Sequence, residues 1–111
     1  MNENELAIVK IISSSGESKA KAFEALKCVK TKEFNKAREL IKESRHLDLE
    51  AHNMQTQWIQ QEMSQEGESV VGMLMVHAQD HYMTSQLARD LIEELVEVFD
   101  HLFSKVNDTL N

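Results

Sequence analysis

From its first residues the chain places apolar side chains three and four positions apart, with few interruptions. That spacing belongs to amphipathic helix, not to strand. A first stripe, Leu6, Val9, Ile12, Gly16, Ala20, Phe23 and Leu26, predicts a helix over about residues 3–30. Its weak point is Ser13-Ser14-Ser15-Gly16, because serine and glycine disfavour a helix interior. One long helix is preferred, its small residues admitting a close neighbour; a break there is the alternative. A second stripe, Phe34, Ala37, Leu40, Ile41, Ser44, Leu47, Ala51, Met54, Trp58 and Ile59, predicts a helix over about 33–65. Thr31, in the short connection, is a candidate N-cap for it. The strongest break in the chain is Gln65-Glu66-Gly67-Glu68-Ser69. Gly67 suits a helix end and Ser69 a helix start. A third helix is expected over about 70–106, with residues 107–111 fraying.

The third segment carries a seam with heptad spacing: Val70, Leu74, His77, His81, Thr84, Ala88, Leu91, Leu95, Val98 and Leu102. Such a seam faces partner helices. Leu87, Ile92, Val96, Phe99 and Phe103 extend the apolar surface well past one seam. A helix that is apolar on more than one side is covered on more than one side. Two other helices cannot supply that cover, so the pattern predicts self-association. The expected fold is all-α: a three-helix up-down-up bundle, one domain spanning residues 1–111.

Composition agrees with this. Proline is absent and there are only 3 glycines in 111 residues, too little turn chemistry for a small strand-rich domain. A net charge of −7 argues against nucleic acid as a partner. Basic residues between Lys19 and Arg45 interleave with acidic ones, as on a solvated face. Cys28 is the single cysteine, read as a packing residue in a protein of a reducing cytosol. The start, Met1 to Glu5, lacks the basic and apolar parts of a signal peptide. No window reaches the ~18 consecutive apolar residues of a membrane span. The expectation is a cytoplasmic protein without direct membrane insertion.

Candidate chemistry concentrates in His77-Ala78-Gln79-Asp80-His81-Tyr82-Met83-Thr84. On a helix, His77 neighbours Asp80 and His81, His81 neighbours Thr84 and Ser85, and Gln79 points to a different side. The residues leave three readings open. The histidines could be satisfied interface side chains. Histidines at i and i+4 with a carboxylate could ligate zinc, although Ala78 stands where the zincin motif needs glutamate, and a further ligand would have to come from elsewhere. A neutral imidazole could instead attack phosphorus. With no Gly-rich or Walker loop in the chain, that phosphoryl group would come from another protein. Elsewhere, His52 reads as a solvated position, and His46 and His101 as surface. Met54, Met63, Met73, Met75 and Met83 read as core filling, and Trp58 as packing.

This segment resembles the lactose/cellobiose-type IIA proteins, including the chitobiose type, of the bacterial phosphoenolpyruvate-dependent sugar phosphotransferase system. Their last helix carries His-(Gly/Ala)-Gln-Asp-His-x-Met-Thr. The resemblance continues through Ser85–Leu91 and covers Ser18–Lys27, Phe34–Ala37 and Glu50–Thr56. Tyr82 departs from it, standing where leucine is frequent. The resemblance implies a single IIA domain that forms a homotrimer and acts as a histidine phosphocarrier, a phosphotransferase component in disaccharide uptake. His77 would accept the phosphoryl group from phospho-HPr and pass it to a cysteine of the cognate IIB. The IIC transporter would be served indirectly. Gln79 would help orient His77, and His81 would contact phosphate or partner. Asp80 would meet its two copies at the trimer axis and share one divalent cation, magnesium. Three close carboxylates repel, so a cation or protonation must relieve them. The rival reading is a non-enzymatic trimeric helical bundle with a structural metal site.

Overall fold

Asn2 opens the first helix. Its side-chain oxygen accepts from the Glu5 backbone N–H at 2.8 Å, and its amide donates to the Glu5 carboxylate at 3.1 Å. An asparagine cap followed three residues later by glutamate satisfies donors that a helix start leaves unpaired. The computed structural model describes residues 1–64 and 72–110. Among these, the chain forms α1 (Glu3–Val29), α2 (Phe34–Ser64) and α3 (Met73–Leu110). The expected start of the third helix at Val70, and the capping roles of Gly67 and Ser69, lie outside the described residues. At its other end α3 does not fray after residue 106. It runs on to Leu110, with the Thr109 hydroxyl donating to the Lys105 carbonyl at 3.0 Å.

Thr31 does not cap α2. Its hydroxyl turns back to the Cys28 carbonyl and to the Glu33 carboxylate, so it helps close α1 instead. Lys32 takes a left-handed φ of 61°, the conformation that commonly ends a helix. The first turn of α2 hangs on the Glu33 carbonyl, which accepts from Ala37.

The serine-rich stretch of α1 is unbroken helix. Ser15 and Ser18 are fully buried, whereas Gly16 is exposed and a Cβ there would meet nothing. The serines, not the glycine, admit the close neighbour. Ser18 Oγ donates to the Ser44 carbonyl at 2.7 Å, and Ser44 Oγ donates to the Ser18 carbonyl at 2.8 Å. Hydroxyl-to-carbonyl bonds made both ways bring the backbones of α1 and α2 close together. Lys10–Glu50 and Lys21–Glu43 pairs run alongside this crossing, antiparallel. α3 returns parallel to α1, so the subunit is the expected up-down-up bundle.

The faces that pack are not the ones the hydropathy stripes suggested. On α1 the buried residues are Ile8, Ile11, Ser15, Ser18, Ala22 and Ala25, while Leu6, Val9 and Phe23 stay exposed. On α3 the core face is Ala78, Tyr82, Ser85, Arg89, Ile92 and Val96. The heptad seam lies beside it and is largely uncovered within the subunit: Leu87 is 68% exposed, Leu91 57%, Val98 49% and Leu102 50%. The prediction for α2 was closer, with Ala37, Leu40, Ile41, Ser44 and Ala51 all buried. Cys28 is buried in one apolar cluster, and Trp58 and Met54 pack against another. Met63, Met73 and Met83 are exposed rather than core filling.

α2 meets α3 through a ladder of polar rungs. Arg38 pairs with Glu97 and Asp100, Arg45 with Glu93, and Asp48 with Arg89 and Ser85. Only the last is buried; Asp48 Oδ2 lies 2.8 Å from Arg89 Nη1. Burial pushes the Asp48 carboxyl above its ordinary range, against the pull of Ser18, the Arg89 charge and Ser85. Desolvation therefore outweighs the ion pair, yet losing one partner strands the other charge in the core. Asp48→Ala should cost about 3–5 kcal/mol of stability. Asp48→Ala combined with Arg89→Met should cost less than the single change, because no charge is stranded. Urea midpoints of the two variants compare them directly, and a double variant as unstable as the single one would refute the argument.

Candidate functional site

The polar segment lies in the first half of α3 and faces three ways. His77 and His81, one turn apart, point along the uncovered seam. Their rings meet edge to face, with centroids 4.5 Å apart at 84°. His77 is exposed and its nitrogens have no partner among the described residues. His81 is half-buried, and its Nδ1 is buried without a hydrogen bond among the described residues. Asp80 is exposed on the same seam, its carboxylate forming neither hydrogen bond nor ion pair among the described residues. Thr84, one turn on, donates its hydroxyl to the Asp80 carbonyl at 2.7 Å and accepts from Lys19 Nζ at 2.9 Å. Lys19 thus ties α1 to the segment.

The second direction is the core. Tyr82 is buried, and its hydroxyl shares a 2.9 Å hydrogen bond with His52 Nδ1 on α2. Burial, aided by the Asp48 charge, pushes the Tyr82 phenol above its ordinary value of 10.0. His52 is exposed as expected, but it is more than a solvated residue, since one ring nitrogen holds this buried hydroxyl.

The third direction is towards the outer edge of α2. Gln79 Oε1 accepts from Gln55 Nε2 at 2.5 Å, and the same Nε2 lies 3.7 Å from Met83 Sδ. Residues two apart on a helix point about 160° from each other around its axis. Gln79 therefore lies on the opposite flank of α3 from its own His77, and nothing in the subunit brings the two together.

The His52–Tyr82 and Gln55–Gln79 contacts continue the polar ladder of α2 and α3. Sequence reasoning gave Gln55 and Lys19 no role, although both lie in segments that carry the family resemblance. A faint signal existed: His52 and Gln55 are three apart, as Tyr82 and Gln79 are, and antiparallel helices match such pairs in reverse order. No group of three histidine, cysteine, aspartate or glutamate side chains converges among the described residues, so one chain does not assemble a zinc site. A groove of about 360 Å³ between α2 and α3 is lined by Arg38, Ile41, Arg45, Glu93, Val96 and Glu97, away from the histidines. The subunit thus offers an exposed imidazole on an apolar seam, flanked by a second imidazole and an unpaired carboxylate. That arrangement suits transfer of a group between proteins better than capture of a small molecule. Among the described residues no helix is long and apolar enough to cross a membrane.

Comparison with known proteins agrees with the motif. Residues 6–100 match the family described as PTS system, Lactose/Cellobiose specific IIA subunit. The N,N'-diacetylchitobiose-specific EIIA component of Escherichia coli K12 is 41% identical over 100 residues, covering 90% of this chain and 85% of that protein. The crystal structure of the cellobiose-specific enzyme IIA from Bacillus anthracis superposes with a TM-score of 0.84 at 30% identity, covering 95% of each chain. A IIA(Chitobiose) chain solved in solution in complex with HPr superposes with a TM-score of 0.79 at 38% identity, covering 92% of this chain and 98% of that one.

The burial of Tyr82 has a pH signature. A phenol whose folded value is raised contributes stability that is complete below the unfolded value of 10.0 and is lost as pH climbs through the folded value. Tyr82→Phe should cost about 1 kcal/mol near neutrality. The gap between wild type and variant should close as pH rises beyond about 10. Denaturant titrations at stepped alkaline pH measure the gap, and a constant difference would contradict the placement of Tyr82.

Proposed function

Because the chain belongs to the lactose/cellobiose-specific IIA family of the sugar phosphotransferase system, we propose that His77 is its phosphoryl-carrying residue. The chain is a IIA component of disaccharide transport, and components of this kind are phosphotransfer proteins. The observation that carries the assignment to His77 is its exposure at the head of the motif, with no hydrogen bond from the described residues holding either ring nitrogen. A neutral imidazole nitrogen attacks the phosphorus of phospho-HPr; the new N–P bond forms as the donor's bond to phosphorus breaks. In the second transfer a thiolate of the cognate IIB attacks the same phosphorus, and the N–P bond breaks in turn. The edge contact from His81 limits how the His77 ring can turn. HPr is supported as donor by the relative solved in complex with it. IIB follows from the role of IIA components, and the IIC transporter is served through IIB.

The functional unit in this reading is a homotrimer. Its support is the uncovered seam of α3, too apolar to face water along its length. Closing three copies around that seam brings Asp80 towards its two counterparts. A ring with threefold symmetry also sets the His77 flank of one α3 against the Gln79 flank of the next. Gln79 then serves the neighbour's histidine rather than its own. Three Asp80 carboxylates, each without a partner among the described residues of its own subunit, form an all-oxygen donor set that suits magnesium. When bound, the cation would neutralise their mutual repulsion; phosphoryl transfer itself runs through His77.

Incubation with phosphoenolpyruvate, enzyme I and HPr should add one acid-labile phosphate per subunit, read by intact mass. His77→Ala should take up none, and a phosphate that survives this change would sink the assignment. Assembly gives a separate test. Asp80→Leu should remain trimeric in sedimentation and be indifferent to EDTA, because an apolar axis removes the repulsion, whereas wild type should loosen when the cation is stripped. Dissociation of Asp80→Leu would count against carboxylates meeting at an axis.

A further inference from the structure

Gln79 is held from outside the motif, by Gln55 of α2. The direction of that contact matters, because a carboxamide presents an acceptor on one side and a donor on the other. Gln55 Nε2 approaches Gln79 Oε1 at 2.5 Å and has the weak acceptor Met83 Sδ on its other side at 3.7 Å. The sulfur can only accept, which places the Gln55 amide nitrogen, not its oxygen, between Met83 and Gln79, so that Gln79 must meet it with its oxygen. Gln79 Oε1 is therefore spent on α2, and Gln79 Nε2 is the group left to act. That nitrogen has no partner among the described residues and is not one of the buried orphan atoms. The neighbouring rung, His52 to Tyr82, anchors α2 one turn away, so Gln55 cannot slide relative to Gln79.

We propose that Gln55 is a positioning residue for phosphoryl transfer: by donating to Gln79 Oε1 it orients the Gln79 carboxamide with its N–H donor towards the phosphoryl-accepting histidine. This rests on the reading of His77 as carrier and of the unit as a trimer in which one copy's Gln79 flanks the next copy's His77. A phosphoryl group gathers negative charge on its oxygens during transfer, so a fixed donor helps and a fixed acceptor hinders. An unrestrained carboxamide would spend part of its time turned the wrong way.

The donor sense of residue 55 can be changed without touching the motif. Gln55→Lys keeps a donor facing Gln79 Oε1, Gln55→Met removes the donor and leaves at most a weak sulfur acceptor, and Gln55→Glu offers only strong acceptors. Single-turnover transfer from phospho-HPr, followed by rapid quench, separates the rate at saturation from the half-saturating concentration. The saturated rate should stay within about twofold of wild type for Gln55→Lys, and fall several-fold for Gln55→Met and roughly tenfold for Gln55→Glu. Half-saturation by phospho-HPr should barely move, whereas damage to the docking surface would shift it. Co-expressing Gln55→Glu with His77→Ala should restore rapid transfer, as a fast phase, to each His77 whose flanking copy carries an intact Gln55 across the subunit boundary. Equal rates for the three variants, or slow transfer in Gln55→Lys matching Gln55→Glu, would overturn the proposal while leaving the carrier reading intact. Mixed trimers as slow as the Gln55→Glu parent would overturn it as well. Wild type that takes up no phosphate would overturn the carrier reading and this proposal together.

Discussion

The contact between α2 and α3 depends on polar groups that accept one register. Leucine against leucine tolerates sliding by a turn, since one apolar surface resembles the next. Asp48 does not. Its carboxylate lies in the core, where only Arg89 and Ser85 on α3 and the serines at the α1 crossing can compensate its charge. Shifting α2 by one turn would leave Asp48 and Arg89 both buried and unpaired, at a cost of several kcal/mol. Once Asp48 is set opposite Ser85, antiparallel geometry sets His52 opposite Tyr82 and Gln55 opposite Gln79. The ion pair contributes little net stability where it lies, but it fixes which α2 residues reach the motif.

That constraint explains which parts of the fold were legible in the chain. Helix number and helix type follow from the three–four spacing, and the ends fall close to expectation where a cap such as Asn2 is present. The core faces were harder, for a physical reason. Hydropathy records that a face avoids water without recording what covers it. On α1 and α3 the most apolar stripes are the uncovered ones, and the packed faces run through Ser15, Ser18, Ser85 and Arg89. Small or charge-paired residues are buried there because backbones approach closely, and a hydropathy stripe skips such positions. The excess of apolar surface on α3 was nevertheless read correctly as too much for one subunit to cover.

The motif shows the same division. His77, Asp80 and His81 stand out because they interrupt an apolar seam, and the family pattern of residues 77–84 made them specific. Gln55 and Lys19 do not stand out, since each is a polar residue where a solvated helix would also carry one. Only the fold brings Lys19 to Thr84 and Gln55 to Gln79, across sequence separations of 65 and 24 residues. His52 was read as solvated because one side of its ring is; the other side holds Tyr82. A tyrosine needs a hydrogen-bond partner once buried, and His52 supplies it.

A phosphoryl carrier makes conflicting demands on its histidine. Two different proteins must reach the ring, one after the other, so it cannot be enclosed. Yet the ring must hold an orientation, because attack on phosphorus needs a nitrogen lone pair aimed along a narrow approach. If His77 is the carrier, as proposed, it meets only the first demand inside one subunit, with a single ring contact from His81. A second shell within the same chain would bury it. A flank supplied by a neighbouring copy can restrain the ring from the side and leave its tip open. In the proposed trimer the apolar seam and the rungs between α2 and α3 would serve one end: the seam would bring a neighbour's flank to His77, and the rungs would decide which groups that flank presents.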